Sequence, residues 1–163
     1  MTRFASRLAV SLDRDDRGGA RITLTGIIDE FAELLPLVDR VEPPTTVDLG
    51  GVEFINSVGV RQWTGFLRAL LARGPVTLRN CSEPMVLLFN MATVAVEGAV
   101  VESLQAPYAC THCSADEQVE LVVARDLADG AASTAPEFPC KSCDGLLRFA
   151  GLPQRYLAFL ESD

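Results

Sequence analysis

The chain has 163 residues, 48% of them hydrophobic, and a formal net charge of -8. That length suits one domain, or one domain with a small appendage, and the apolar content excludes a disordered chain. The acidic balance argues against nonspecific binding to nucleic acid or to an anionic membrane, and favours protein partners.

Residues 7–15 alternate, with Leu8, Val10 and Leu12 on one face. The turn Asp15-Asp16-Arg17-Gly18-Gly19 leads into a second alternating run from Ala20 to Gly26, which predicts a β-hairpin. Phe31, Leu34, Leu35 and Val38 suggest a short amphipathic helix, shortened or kinked by Pro36. After Pro43-Pro44, the residues Val47, Leu49, Val52, Phe54 and Ile55 form a β-prone run interrupted by Gly50-Gly51. A buried strand with a bend or bulge is expected there. It stops at Asn56-Ser57, two residues that favour helix caps, and the stripe Val60, Trp63, Leu67, Leu70, Leu71 predicts a helix at once. Arg73-Gly74-Pro75 ends that helix, and Val76–Leu78 reads as a strand. Ser82-Glu83-Pro84 opens a further helix with Met85, Leu88, Phe89 and Ala92 on one face, and residues 99–104 return to strand. The order β-β-α-β-α-β-α-β predicts an α/β fold with a mixed, mostly parallel sheet and packed helices.

Beyond residue 105 the pattern changes. Cys110-x-x-Cys113 and Cys140-x-x-Cys143 are separated by residues 114–139, in which an alternating run at 119–124 is followed by an Ala-Gly-Ser-Pro stretch over 128–139 that reads as a loop. Two such pairs, each in a turn beside a strand, supply four thiolates for a tetrahedral metal site. Pro139 and Gly145 look like a zinc-ribbon knuckle, and four cysteines leave no open position, so a structural zinc is expected. Disulfides, a redox pair and an iron–sulfur cluster are the open alternatives. His112, the single histidine, reads as a bystander or second-layer donor, and Cys81 as a small hydrophobe. Leu152, Tyr156, Phe159 and Leu160 are spaced as a helical stripe expected to dock on the core. The expected organisation is thus a domain over 1–105, a small zinc-ribbon-like β appendage over 106–150, and a terminal helix over 151–163.

Residues 48–59, D-L-G-G-V-E-F-I-N-S-V-G, resemble the signature of STAS domains, the anti-anti-sigma-factor family, whose pattern runs D-L-S-x-V-x-F-I-D-S-S-G. Gly26-Ile27-Ile28-Asp29 resembles the family's G-E-L-D after its second strand, and the likeness covers roughly residues 8–105. The resemblance implies the same sheet-and-helix arrangement, and it implies that Ser57 is a regulatory phosphoacceptor. Asn56 stands where the family has Asp, and Val58 where it has Ser. The resemblance also implies a partner-binding surface of Ile55, Asn56, Val58, Gly59 and Val60, with Asp29 at the same end of the sheet. Read from the residues alone, Ser57 is equally a helix N-cap and Asp29 a cap for the segment at Phe31.

Catalytic constellations are lacking. One histidine gives no support for a Ser/His/Asp or Cys/His triad, and there is no G-x-x-x-x-G-K, G-x-G-x-x-G or H-E-x-x-H pattern. The first ten residues, with Arg3 and Arg7 and no sustained apolar core, do not read as a signal peptide. No apolar run approaches the ~20 residues needed to span a bilayer, so the cytoplasm is the expected compartment. The expectation is a non-enzymatic regulatory module that binds an anti-sigma factor, a serine kinase or a related regulator. Its rivals are a STAS scaffold that has lost the switch, and a zinc-thiolate redox sensor.

Overall fold

The computed structural model describes residues 6–127 and 135–161. Most of the expected 128–139 loop, residues 128–134, lies outside them. Two sheets are present. The first has the order β1 (Leu8–Arg14), β2 (Ala20–Ile28), β3 (Thr45–Ile55), β4 (Val76–Arg79) and β5 (Val100–Val101). Only the β1–β2 hairpin is antiparallel; the other three pairings are parallel. The predicted mixed, mostly parallel sheet is therefore observed.

The parallel strands are joined through helices, as sterics requires for a parallel connection. Helix α1 (Ser57–Leu71) follows β3 and buries Gly59, Trp63, Phe66, Leu67 and Leu70 against the sheet. Its indole N–H donates to the Ala95 carbonyl at 2.8 Å, which satisfies the one polar atom of the largest buried side chain. Helix α2 (Glu83–Met91) follows β4, with Pro84 in its first turn, and buries Met85, Val86, Leu88 and Phe89. Ile22, Leu24, Val47, Leu49 and Leu78 complete a core with no measurable exposure at these positions.

The expected first helix is different. Residues Leu35–Arg40 form a short 3-10 helix with Leu37 and Val38 buried and Leu35 exposed, preceded by a loop in which Leu34 is buried and Phe31 is exposed. Pro36 lacks an N–H and sits in the first turn, so a full α-helical run across it would lose a bond. The bulge expected at Gly50-Gly51 is present as a β2–β3 register shift between Thr23 and Thr25, and a second shift, after Gly26, falls at Glu53 of β3, where none was expected. A Cβ on Gly50 would meet the Asn80 side chain at 2.0 Å, so β3 needs glycine there to let that loop pass.

The predicted strand at 99–104 is split. β5 ends at Val101, and β6 (Ser103–Cys110) begins the second sheet, whose order is β7 (Asp116–Val122), β6, β9 (Leu146–Phe149), β8 (Phe138–Pro139), all antiparallel. β6 remains tied to the first sheet by a parallel bridge between Cys81 and Leu104 and by the Gln105 N–H to the Cys81 carbonyl. It crosses the expected boundary at 105/106, and the buried apolar residues of both sheets form one cluster.

Near the end of the described chain two short turns, an α-helical one (Pro153–Tyr156) and a 3-10 one (Ala158–Glu161), replace a single helix. Leu157 and Phe159 are the buried residues, whereas Leu152 is exposed. Phe159 packs on Phe89 with ring centroids 5.5 Å apart, and the Tyr156 hydroxyl donates to the Gln105 carbonyl at 2.6 Å. The tail does dock on the core, through Tyr156, Phe159 and Leu160 of the predicted stripe, with Leu157 taking the place expected of Leu152.

Candidate functional site: the strand-to-helix junction and the four-thiol cluster

β2 and β3 end side by side, with Ile28 paired to Ile55, and the Asn56 N–H donates to the Ile28 carbonyl at 3.2 Å. The signature residues and Asp29 therefore share one end of the sheet. Asn56 is the N-cap of α1: its backbone is extended and its Oδ1 accepts from the Gly59 N–H at 2.8 Å. Ser57 is the first residue inside the helix and is exposed, so its hydroxyl is not the cap. The cap reading of Ser57 is corrected accordingly. Asn side chains satisfy a first-turn N–H as well as Ser does, and the residue with extended backbone takes the role.

Gly59 is buried where α1 crosses the end of β2; a Cβ there would lie 2.0 Å from the Ile28 carbonyl oxygen. Val58 is exposed, and Ile55, Asn56 and Val60 are half-buried. Phe54 and Phe31, both partly exposed, extend the apolar character of this end of the molecule. Asn56 Nδ2 donates to Glu30 at 2.8 Å, and Gln62 Nε2 donates to the Asp29 and Glu30 carbonyls at 3.1 and 3.3 Å. These bonds fasten the loop after β2 to the start of α1.

Asp29 has no exposed surface. Its carboxylate accepts from Arg7 at 2.9 and 3.3 Å and from the Phe31 N–H at 3.0 Å. Burial opposes its charge, but the Arg7 guanidinium and the Phe31 N–H outweigh that and hold the carboxyl below its ordinary value. The side chain thus organises the turn from within, and the exposed group above it is Arg7. The sequence offered no signal for Arg7, because its partner lies 22 positions away.

The second site is built by two hairpin turns. β6 delivers Cys110, and Cys113 follows in the turn before β7; Cys140 follows β8, and Cys143 lies in the turn before β9. The four Sγ atoms all lie within 4.8 Å of one another, with Cys110–Cys143 at 3.5 Å and Cys113–Cys140 at 3.8 Å. No disulfide joins them. Backbone N–H groups are aimed at three sulfurs: His112 and Cys113 at Cys110 (3.3 and 3.4 Å), Ser142 at Cys140 (3.4 Å), and Gly145 at Cys143 (3.2 Å). Such donors stabilise thiolates.

The Cys113 and His112 N–H groups bring Cys110 down to about 6. The Gly145 N–H pulls Cys143 the same way, but desolvation and the neighbouring sulfurs push it up to about 12. Four thiolates so close together repel, and a bound cation is the group that resolves the repulsion. The arrangement can hold one tetrahedral metal ion. Gly145 is required by the close packing, since a Cβ would stand 2.6 Å from His112 Cβ and 3.0 Å from Cys110 Sγ. The His112 residue is exposed and reaches the cluster through its backbone. Cys81 is fully buried, and desolvation pushes its thiol far up, as a small hydrophobe requires.

No helix among the described residues is long and apolar enough to cross a membrane. No family model matches the chain, and no curated protein matches it. Among solved structures, the chain is similar to that of the anti-sigma factor antagonist SpoIIAA in its unphosphorylated form. The identity is 22%, the match covers 57% of this chain and 86% of that one, and the TM-score is 0.41.

Proposed function

We propose that the protein is a regulatory protein–protein interaction module of anti-anti-sigma type. It binds an anti-sigma factor, a serine kinase or a related regulator, and phosphorylation of Ser57 switches that binding. The observation that carries this reading is the exposed Ser57 hydroxyl at the first position of α1, in the place where the STAS-like signature has its phosphoacceptor. Phosphorylation would form an Oγ–P bond with the terminal phosphoryl group of a nucleoside triphosphate. The nucleoside diphosphate would leave, and the hydroxyl proton would pass to a base of the kinase. The modification adds about 1.5–2 negative charges at pH 7. Placed among Ile55, Val58 and Val60, this charge would disfavour an apolar partner surface without disturbing the buried face of α1. First-turn N–H groups tolerate a phosphate, and the first turn of α1 holds no acidic residue.

The four-thiol cluster in this reading holds a structural zinc through Cys110, Cys113, Cys140 and Cys143. Zinc–sulfur arms of ~2.3 Å place tetrahedral sulfurs ~3.8 Å apart, close to the spacings found here. The zinc supplies a cross-link between two turns and no open coordination position.

Intact-mass and phosphopeptide analysis of the protein from its own cells, with phosphatases blocked, tests the switch. Phosphate on Ser57 supports it; its absence under all growth conditions removes it. With a cognate partner in hand, Ser57→Asp should bind weakly and Ser57→Ala constitutively. Equal binding by both returns the module to a scaffold, a reading that Asn56 favours because it already caps the helix without help from Ser57. Elemental analysis tests the metal: one zinc per chain is expected, and Cys140→Ser should lower it.

A further inference from the structure

Ser57 and Arg61 are four residues apart on α1, so their side chains lie one above the other on a single face. Helical side chains lean toward the N-terminus, which aims Arg61 back at residue 57. Both residues are exposed. Among the described residues Arg61 has no ion-pair partner, unlike Arg7, which is committed to Asp29. Gln62, the next polar side chain, is held by the Asp29 and Glu30 carbonyls, and residues 58–60 are apolar. Arg61 also lines a groove of about 530 Å³ with Leu34, Leu35, Pro36 and Gly65. Arg61 therefore lines an apolar groove one helical turn from Ser57 and carries no ion pair among the described residues.

We propose that Arg61 is the intramolecular receptor for a phosphate on Ser57, and that this pairing draws the guanidinium out of the groove beside it. The inference rests on the phosphoacceptor reading of Ser57 and adds its means of action: the modification changes the groove as well as the charge at residue 57. Guanidinium and phosphate form short, charge-assisted bonds, stronger than the carboxylate–ammonium pairs usual at this spacing. The charged groups on the elements around this turn are Glu30, held on Asn56; Glu53 on β3; Glu33, which lines the groove with Arg61; and Asp29, paired with the exposed Arg7. Without Arg61 they would raise the second ionisation of the phosphate above its usual value of about 6.

The test uses the full chain with phosphoserine placed at residue 57 during translation, so that no kinase is needed. Phosphorus resonance titration should give a second phosphate pKa about 0.2–0.4 units lower in the native background than in Arg61→Gln, the size expected of an exposed pair at this spacing. Arg61→Lys should recover part of the shift. The Arg61 Nε–H and Gly65 N–H resonances should move on phosphorylation in the native background and stay in place in Arg61→Gln. An identical phosphate pKa with and without Arg61, or an unmoved Arg61 Nε–H, overturns the proposal. Arg61 is exposed, and an amide spectrum unchanged elsewhere verifies that the substitution leaves the fold intact. Absence of phosphate in cells would defeat the switch and leave this pairing standing; failure of the pairing would leave the switch standing.

Discussion

The two sheets solve the problem of holding together in different ways. The first packs Ile22, Leu24, Val47, Leu49 and Leu78 of its strands against Trp63 and Phe66 of α1, all without measurable exposure, and apolar burial is the main source of its order. The second is thin. β7 alternates exposed and half-buried residues along most of its length, β9 buries only Leu147, and among the described residues no helix of more than four residues belongs to it. In their place stand the ring contacts of Tyr108 with Phe138 and Phe149, the contact of Phe149 with Tyr156, and the four-thiol cluster at the far end. Away from β6, which shares the core of the first sheet, this small sheet has little apolar burial of its own, and the cysteines stand at two turns that a cross-link would join.

If this contrast is right, removing apolar volume should damage the first sheet most. Phe66→Ala should cost about 3–5 kcal/mol, measured by denaturant unfolding, because the ring is wholly buried. A cost below about 1 kcal/mol would mean that the core is looser than its burial implies.

Metal removal should act on the second sheet alone. With the metal stripped by a chelator, hydrogen exchange should quicken at Cys110–Cys113 and through β8 and β9, while β2 and β3 keep their protection. Equal loss in both sheets would break the comparison; no loss anywhere would show that the thiols do not carry the fold.

The junction offers a smaller test. Asn56→Ala should cost about 1 kcal/mol through the lost cap, whereas Ser57→Ala should fall within about 0.5 kcal/mol of the native protein. The reverse order would restore Ser57 as the cap.

Acid sharpens the picture at the other end of the first sheet. Glu102 is held below its ordinary value first by the hydrogen bond from Arg79 and then by Arg17. Asp15 is also held low: burial opposes its charge, and the Thr46 hydroxyl, the Asp16 N–H and Arg79 outweigh it. Carboxyls depressed in the folded state stabilise it fully above their unfolded values near 4, and that contribution is lost as pH falls further. Thermal melts from pH 7 to pH 3 should therefore show a downward step below about pH 4.5, and Arg79→Gln should flatten it.

Much of this was legible in the chain. Alternation at Ala20–Gly26, the helical stripe after Ser57 and the cysteine spacing all depend on neighbours a few positions away, and local geometry decides them. The split at Glu102 was not legible, because Val100–Leu104 reads as one strand and only its two different sets of neighbours divide it. Nor was the extension of β6 through Pro107, a residue usually kept out of inner strands. It is accommodated because its carbonyl meets the Ala150 N–H where the pairing with β9 runs out, so little is lost with the missing donor.

The sequence by itself determined the order of elements, the hydroxyl at the mouth of a helix and the four thiols in two turns. Only the tertiary structure decided that Asn56 rather than Ser57 caps α1, that Asp29 is sealed beneath Arg7, and that Leu157 rather than Leu152 docks the tail. Each of those choices depends on which of two eligible side chains reaches a partner contributed by a distant part of the chain, or on which backbone takes the extended conformation. Such contacts exist only once the sheets have packed.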